Sequence, residues 1–304
     1  MGTMQMPMGS IKHIESIFDL KTAEYVLRKN RGGRNAARGI DFETVFAITK
    51  IGELVHELVS GNEDLTITKQ ALEFVDDIQF HSHTRKDDYQ LKDALRVSWS
   101  GRKAQIRNDF IDQQRLNLEH HRCESTQHLV VSRDELATKL KSTMPKKISP
   151  HSRIEVFPPT GDSANALLIS SPRVRAAIAE ACCSPDEADK LEAVFGALFS
   201  AWGTVPPTRP ISLSEVLEQA RKFSNYLRVI KNVPPLPEDI EIILKGIDGL
   251  HFEIFRGFFR WQYRRADSGV LSYSCLDLKF DRFLAHLRRS IPTSFESLEP
   301  LLLC

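Results

Sequence analysis

The chain reads as an α/β protein, with the order helix, three strands, helix, strand in its first half and a mainly helical second half. Three observations carry that reading. Apolar residues recur at helical spacing from Phe42 to Val59. Three short alternating runs follow, rich in β-branched and aromatic residues. Proline, glycine and serine then interrupt the pattern near residue 150, and helical periodicity resumes beyond it. A switch from helical to strand period and back is what helices packed on a sheet require.

Residues 11 to 29 place Ile14, Ile17, Phe18, Leu20, Ala23 and Val26 at helical spacing, so residues 1–29 are expected as a helical extension. A basic stretch, Arg31 to Gly39, leads to the second helix, which sets Val45, Ile48, Ile51, Val55, Leu58 and Val59 on one face and stops at Ser60-Gly61-Asn62. Strands are expected at 65–68, 77–82 and 88–92, a helix at 101–118, and a strand at 127–132. Ser132 and Glu135 have the spacing of a capping box for the helix that follows. Pro158, Pro159 and Gly161 mark a linker at 146–160, separating an α/β domain at 30–145 from a helical domain at 161–304. Helices are expected there at 172–182, 185–201, 212–230, 237–263 and 276–289, the aromatic stripe from Phe252 to Tyr263 forming core.

A net charge of +1 leaves any nucleic-acid contact to local patches rather than to the whole surface. The five cysteines form no CxxC and have no histidines at zinc spacing, which argues against a structural zinc site or a disulfide framework. Cys182-Cys183 read as small hydrophobes in a helix. Residues 1–10 lack the basic-then-apolar plan of a secretory leader, and no apolar run reaches the ~18 residues of a membrane span. A cytoplasmic, soluble protein is the expectation.

One grouping carries chemistry. Asp77 opens a strand, with Asp76 before it, and Gln90-Leu91-Lys92 closes the next. Alternation along a strand puts Gln90 and Lys92 on the same face. Oxygen donors suit Mg2+, and a lysine beside them suits the charge of a phosphate in hydrolysis. An Asp pair also serves turns, where its side chains bond the backbone. His81 and His83 read as edge-strand residues, and His120 and His121 with Cys123 as a polar loop.

The segments Arg38-Gly39-Ile40-Asp41-Phe42-Glu43, Glu73-Phe74-Val75-Asp76-Asp77-Ile78 and Tyr89-Gln90-Leu91-Lys92 resemble the PD-(D/E)xK nuclease superfamily. The likeness is to a branch in which Gln replaces the acid of the second motif, found in the DNA-degrading effectors of bacterial antiphage systems, including those paired with HerA-type ATPases. It spans residues 30 to 140 and implies a restriction-endonuclease-like α-β-β-β-α-β core and Mg2+- or Mn2+-dependent cutting of DNA. Under it Asp77 is the principal metal ligand, with Asp76 the alternative if the register shifts by one. Gln90 takes the second ligand position, Lys92 is the catalytic lysine, Glu43 adds a further ligand or a metal-bound water, and Glu73 supports from behind. Arg34, Arg38, Arg102 and Lys103 would contact phosphates. An ATPase or sensor subunit, or assembly into a homo-oligomer, would control the activity. The competing expectation is an adaptor with a degenerate nuclease fold that binds DNA or a partner without cutting.

Overall fold

The computed structural model describes residues 11–33, 37–61, 65–99, 105–121, 124–158 and 163–303, and of residues 11–13, 27–33, 37–41 and 121 the backbone alone. The elements in chain order begin with three helices, α1 (Ile11–Ile17), α2 (Leu20–Gly33) and α3 (Ala37–Val59), then β1 (Thr66–Lys69), β2 (Ile78–His81) and β3 (Arg85–Lys92). Next are α4 (Ile106–Leu116), a π-helical turn (Asn117–His121), β4 (Glu124–Val131), α5 (Asp134–Ser142) and β5 (Ser152–Val156). Helices α6 (Ala164–Ser170), α7 (Pro172–Ala181) and α8 (Ala188–Thr204) precede β6 (Ile211–Ser212) and α9 (Leu213–Arg221). The chain ends with α10 (Glu238–Lys245), β7 (Leu250–Phe255), β8 (Phe258–Tyr263), β9 (Asp267–Val270), α11 (Leu278–Ser290) and α12 (Phe295–Leu302).

Six strands form one mixed sheet in the order β5-β4-β3-β2-β1-β6. The pairs β6/β1, β1/β2 and β2/β3 are antiparallel, whereas β3/β4 and β4/β5 are parallel. The parallel pairs follow from α4 and α5, which carry the chain back across the sheet between strands. One face, with Ile78, Phe80, Tyr89, Leu91 and Val130, packs on α3, α7 and α8. The other, with Leu129, Val131 and Ile154, is covered by α4 and α5 through Ile106, Phe110, Leu136 and Leu140. No helix among the described residues is long and apolar enough to cross a membrane.

Five expectations are corrected. Residues 146–160, read as a linker, contain β5, whose five-residue register with β4 makes it the sheet edge. The second half does not separate at that point either, because α6 to α9 pack into the same core as α3 and β6 extends the same sheet. The expected helix at 237–263 is α10 followed by the hairpin β7/β8, turning at Arg256 and Gly257 with φ of 52° and 85°. Phe252 and Ile254, then Phe259, Trp261 and Tyr263, alternate at period two toward α10, α11 and α12, but the density of aromatics hides that alternation in the sequence. Helix α5 starts one residue later than a Ser132 cap would set it, with Arg133 at its N-cap and no side-chain cap. Cys182 and Cys183 lie past the end of α7 rather than within it, buried where Cys182 bridges Leu227.

The join between the halves is tight. A Cβ on Gly52 of α3 would lie 2.3 Å from the carbonyl oxygen of Ala177 in α7, so the two backbones approach as closely as they do because Gly52 has no side chain. Gly52→Ala is expected to cost about 1–3 kcal/mol in urea unfolding. A loss under about 0.5 kcal/mol, the range of neutral surface changes, would show that the contact is not this close.

Candidate metal centre and its cleft

Asp77 ends the irregular segment between β1 and β2, where the Gln70 N–H donates to the Asp77 carbonyl at 2.9 Å. Its Oδ2 accepts from Gln90 Nε2 at 2.5 Å and from the backbone N–H of Leu91 at 2.6 Å, and lies 3.6 Å from Lys92 Nζ. Gln90 Nε2 also stands 3.4 Å from Asp76 Oδ1, so both acids of the pair face the same amide. Residues Asp76, Asp77, Gln90 and Lys92 therefore meet at one point, where the start of β2 lies beside the end of β3.

Glu43 reaches the same point from α3. Burial, then the charges of Asp77 and Asp76, push its carboxyl up to about 8, against the opposing pull of Lys92 and Lys69. Lys69, which the sequence reading did not single out, sits at the last position of β1, paired with Ile78 beside Asp77. Its ammonium lies 5.4 Å from the Trp202 ring. Burial lowers its pKa and Glu43 partly restores it. Only the register of β1 on β2 reveals its place, since a lysine closing a short strand carries no signal of its own.

The donor chemistry suits a hard divalent cation. Burial and the nearby charges of Asp77 and Asp76 raise Glu43, and a cation between Asp76 and Asp77 would relieve that repulsion. Gln90 presents its amide nitrogen to the acids, and rotation about its last side-chain bond would present Oε1, an oxygen donor, instead. Among the described residues no three His, Cys, Asp or Glu side chains are gathered as a ready cage. A cation would rest on Asp77, Asp76 and Gln90 with water completing its shell, as Mg2+ commonly does.

Gln90 and Lys92 line a cleft of about 1120 Å3 bounded by Tyr25 of α2, the first turns of α4 and α5, and the segment 94–98. Of the expected phosphate contacts, Arg34, Arg102 and Lys103 lie outside the described residues, and of Arg38 the backbone in α3 is all that is described. Cys123 is likewise outside them, while His120 belongs to the π-helical turn and His81 ends β2, partly buried.

Behind the acids lies a polar cluster that the sequence did not announce. Lys86 and Asp88 share the β3 face of Gln90 and Lys92 and are fully buried. Lys86 Nζ donates to Glu73 Oε2 at 2.5 Å and Asn117 Oδ1 at 3.0 Å, and lies 3.1 Å from Asp88 Oδ1. Asn117 Nδ2 donates to Asp88 Oδ2 at 2.8 Å. Gln113 Nε2 donates to Glu73 at 2.6 Å and to Asn117 at 3.0 Å, and its Oε1 accepts the backbone N–H groups of Phe74 and Val75 at 3.0 and 2.9 Å. The stretch that carries Asp76 and Asp77 is thus held by α4. Glu73, expected to support the site, does so by anchoring Gln113, Gln79 and Lys86 together.

No protein-family model, curated protein or solved structure matches the chain.

Two outcomes follow from these surroundings. A carboxyl whose folded pKa of about 8 exceeds its ordinary 4.5 holds its proton more tightly folded than unfolded, so its contribution to stability falls as pH rises between those values. The advantage of Glu43→Gln in urea midpoint over the parent should grow from about pH 4.5 to about 8 and level off above. A flat difference across that range would exclude the burial and repulsion described. Lys86→Met leaves Glu73 and Asp88 buried without their cation and is expected to cost about 3–5 kcal/mol. The exposed Lys139→Ala should stay within about 0.5 kcal/mol.

Proposed function

We propose that the protein is a metal-dependent nuclease that hydrolyses phosphodiester bonds of DNA, its activity held in check by a partner subunit or by assembly. The single observation that carries this reading is the meeting of Asp77, Asp76, Gln90 and Lys92 at one end of β3, with Glu43 near enough to feel the charges of both acids, where Gln90 and Lys92 line a cleft. The strand order supports it too: three antiparallel strands, then a helix and a parallel strand, follow the αβββαβ plan that the resemblance to PD-(D/E)xK nucleases implies.

Mg2+ or Mn2+, held by Asp77, Asp76 and Gln90, would supply Lewis-acid polarisation of the phosphate and activation of water. The chain's own groups account for the rest. Leu91 N–H and Lys92 fix one oxygen of Asp77, so that its orientation is set before a substrate arrives. Lys92, one-third exposed and facing the cleft, offers its ammonium to the negative charge that develops on the phosphate. Glu43, protonated at neutral pH in this setting, is a place where a proton is held beside the reacting groups. Defence against phage, and an ATPase or sensor subunit as the controlling partner, follow from the resemblance alone.

One observation favours a second reading, a non-cutting adaptor: the Gln90 amide nitrogen already satisfies both acids without a cation. Plasmid cleavage in Mg2+ or Mn2+, with the variants Asp77→Ala, Lys92→Ala and Gln90→Glu, separates the two. A nuclease loses at least about 100-fold in rate in the first two and keeps cutting in the third, whose carboxylate strengthens the metal site. Absence of cutting by the parent and by Gln90→Glu, with either metal and with candidate partners added, would leave the adaptor.

A further inference from the structure

Three features compete for attention outside the acids themselves: the buried Lys86 cluster, the His128 pair of carboxylates, and the free cations of the cleft. The first is explained by the clamp on Phe74 and Val75. In the second, His128 lies between Asp87 at 3.2 Å and Glu155 at 2.6 Å and stacks on Tyr89, a closed arrangement with no cavity beside it among the described pockets. The third points to a ligand.

Arg96, Arg133 and Lys139 line the cleft together with Lys92, and all three are exposed. Among the described residues none of the three is engaged in an ion pair. Two acids face the same space, Asp109 and Glu135, and Asp109 accepts the Tyr25 hydroxyl at 3.1 Å. With Lys92 set against Asp77, three unpaired cations and two acids remain around the cleft, and the excess of positive charge on its rim favours anions. Between the charges its walls are apolar: Val97, Ile106 and Leu136, with the Tyr25 ring and with Leu95, 73% exposed. Unpaired cations at the edge and flat apolar surface within are what a single strand needs, the first for its phosphates and the second for its bases.

Size and the apolar wall together favour one strand over two. The volume of about 1120 Å3 is close to the ~300–1,000 Å3 that takes one drug-sized ligand, room for a few nucleotide units. A duplex keeps its bases stacked inside and would leave the apolar wall of the cleft uncovered, whereas an unpaired strand can lay its bases on it. Gln90 and Lys92, which stand beside Asp77, both line this cleft, so a phosphate seated in it would lie next to the acids. We infer that the cleft binds an unpaired segment of DNA, with Arg96, Arg133 and Lys139 on its phosphates, so that the substrate is single-stranded at the point of cutting. This rests on the nuclease reading for its consequence, though not for the binding itself.

The test is therefore a binding measurement in EDTA, in which nothing is cut. Fluorescence anisotropy compares labelled oligo-dT with a blunt duplex, for the parent chain, for Arg133→Ala and for Arg133→Glu with Lys139→Glu. Oligo-dT is expected to bind about tenfold or more tighter than the duplex, and the double charge reversal to weaken it by about tenfold or more at unchanged urea midpoint. Arg133→Ala should lower the slope of log affinity against log salt by about 0.7. Equal or tighter binding of the duplex, or single-strand binding indifferent to the charge reversal, overturns the inference, and plasmid cutting then still decides the nuclease reading separately. Single-strand binding that behaves as expected in a chain that never cuts would sink the nuclease reading while this one stands.

Discussion

The structure hinges on one central strand that buries polar side chains on the face where a strand would ordinarily bury aliphatic ones. Lys86, Asp88 and Gln90 are each at most 1% exposed. Removing a charge from water is tolerated only where every remaining donor and acceptor finds a partner. The surrounding elements meet that demand. Glu73 comes from the turn before β2, Gln79 from β2, Gln113 from α4, and Asn117 from the turn where α4 widens to a π-helical pitch. The widening is intelligible in these terms, because Asn117 must reach Asp88 and Lys86 at once. The same network fixes the main chain at Phe74 and Val75, and with it the two residues that follow. Stability and site geometry thus draw on the same hydrogen bonds.

At the far end of that strand the balance of charge reverses. Around Lys86 two buried carboxylates share one ammonium, and burial raises the Asp88 carboxyl while Lys86 opposes it. Around Gln90 three carboxylates face Lys92 and Lys69, both of which retain contact with open space or with an aromatic ring. The first grouping is sealed and the second is open to the cleft. A sealed network can be completed only by the protein's own groups, whereas an open, acid-rich one can exchange partners with solvent, ions or substrate. That contrast on a single strand face is what favours the surroundings of Gln90 over those of Lys86 as the proposed site.

Much of the first half was legible because its elements are amphipathic at the right period. The apolar stripe of α3, the short strands before and after Asp77, and the pairing of Gln90 with Lys92 all follow from spacing, and the acids, the amide and the lysine do converge. What escaped was whatever depends on register or on distant partners. Lys69 becomes a neighbour of Glu43 only through the β1/β2 pairing, and Lys86 and Asp88 look like solvated charges until α4 is laid over them. The break near residue 150 was read as a domain boundary because prolines and glycines punctuate it, yet punctuation marks a change of direction, and here the chain turns to add β5 and then to lay α7 against α3. The hairpin of β7 and β8 failed for a different reason: aromatic residues on both strands fill the sequence so densely that periods of two and of 3.6 fit equally well.

Gln90 also bears on how a cation and a substrate could act together. A neutral amide contributes no charge to a metal, so a site built on two acids and an amide binds a divalent cation less strongly than one built on three acids. Meanwhile the unpaired cations of the cleft favour a polyanion with no help from a metal. A phosphate drawn in by Arg96, Arg133 and Lys139 would bring its own oxygens to the acids and could complete a metal shell that the protein alone leaves short. Cation and nucleic acid would then bind with positive coupling, each raising the affinity for the other by the same factor, as linkage requires. A weak metal site and the cations of the cleft would in that sense be two halves of one recognition event, and a chain that depends on both would remain quiet in the presence of metal alone.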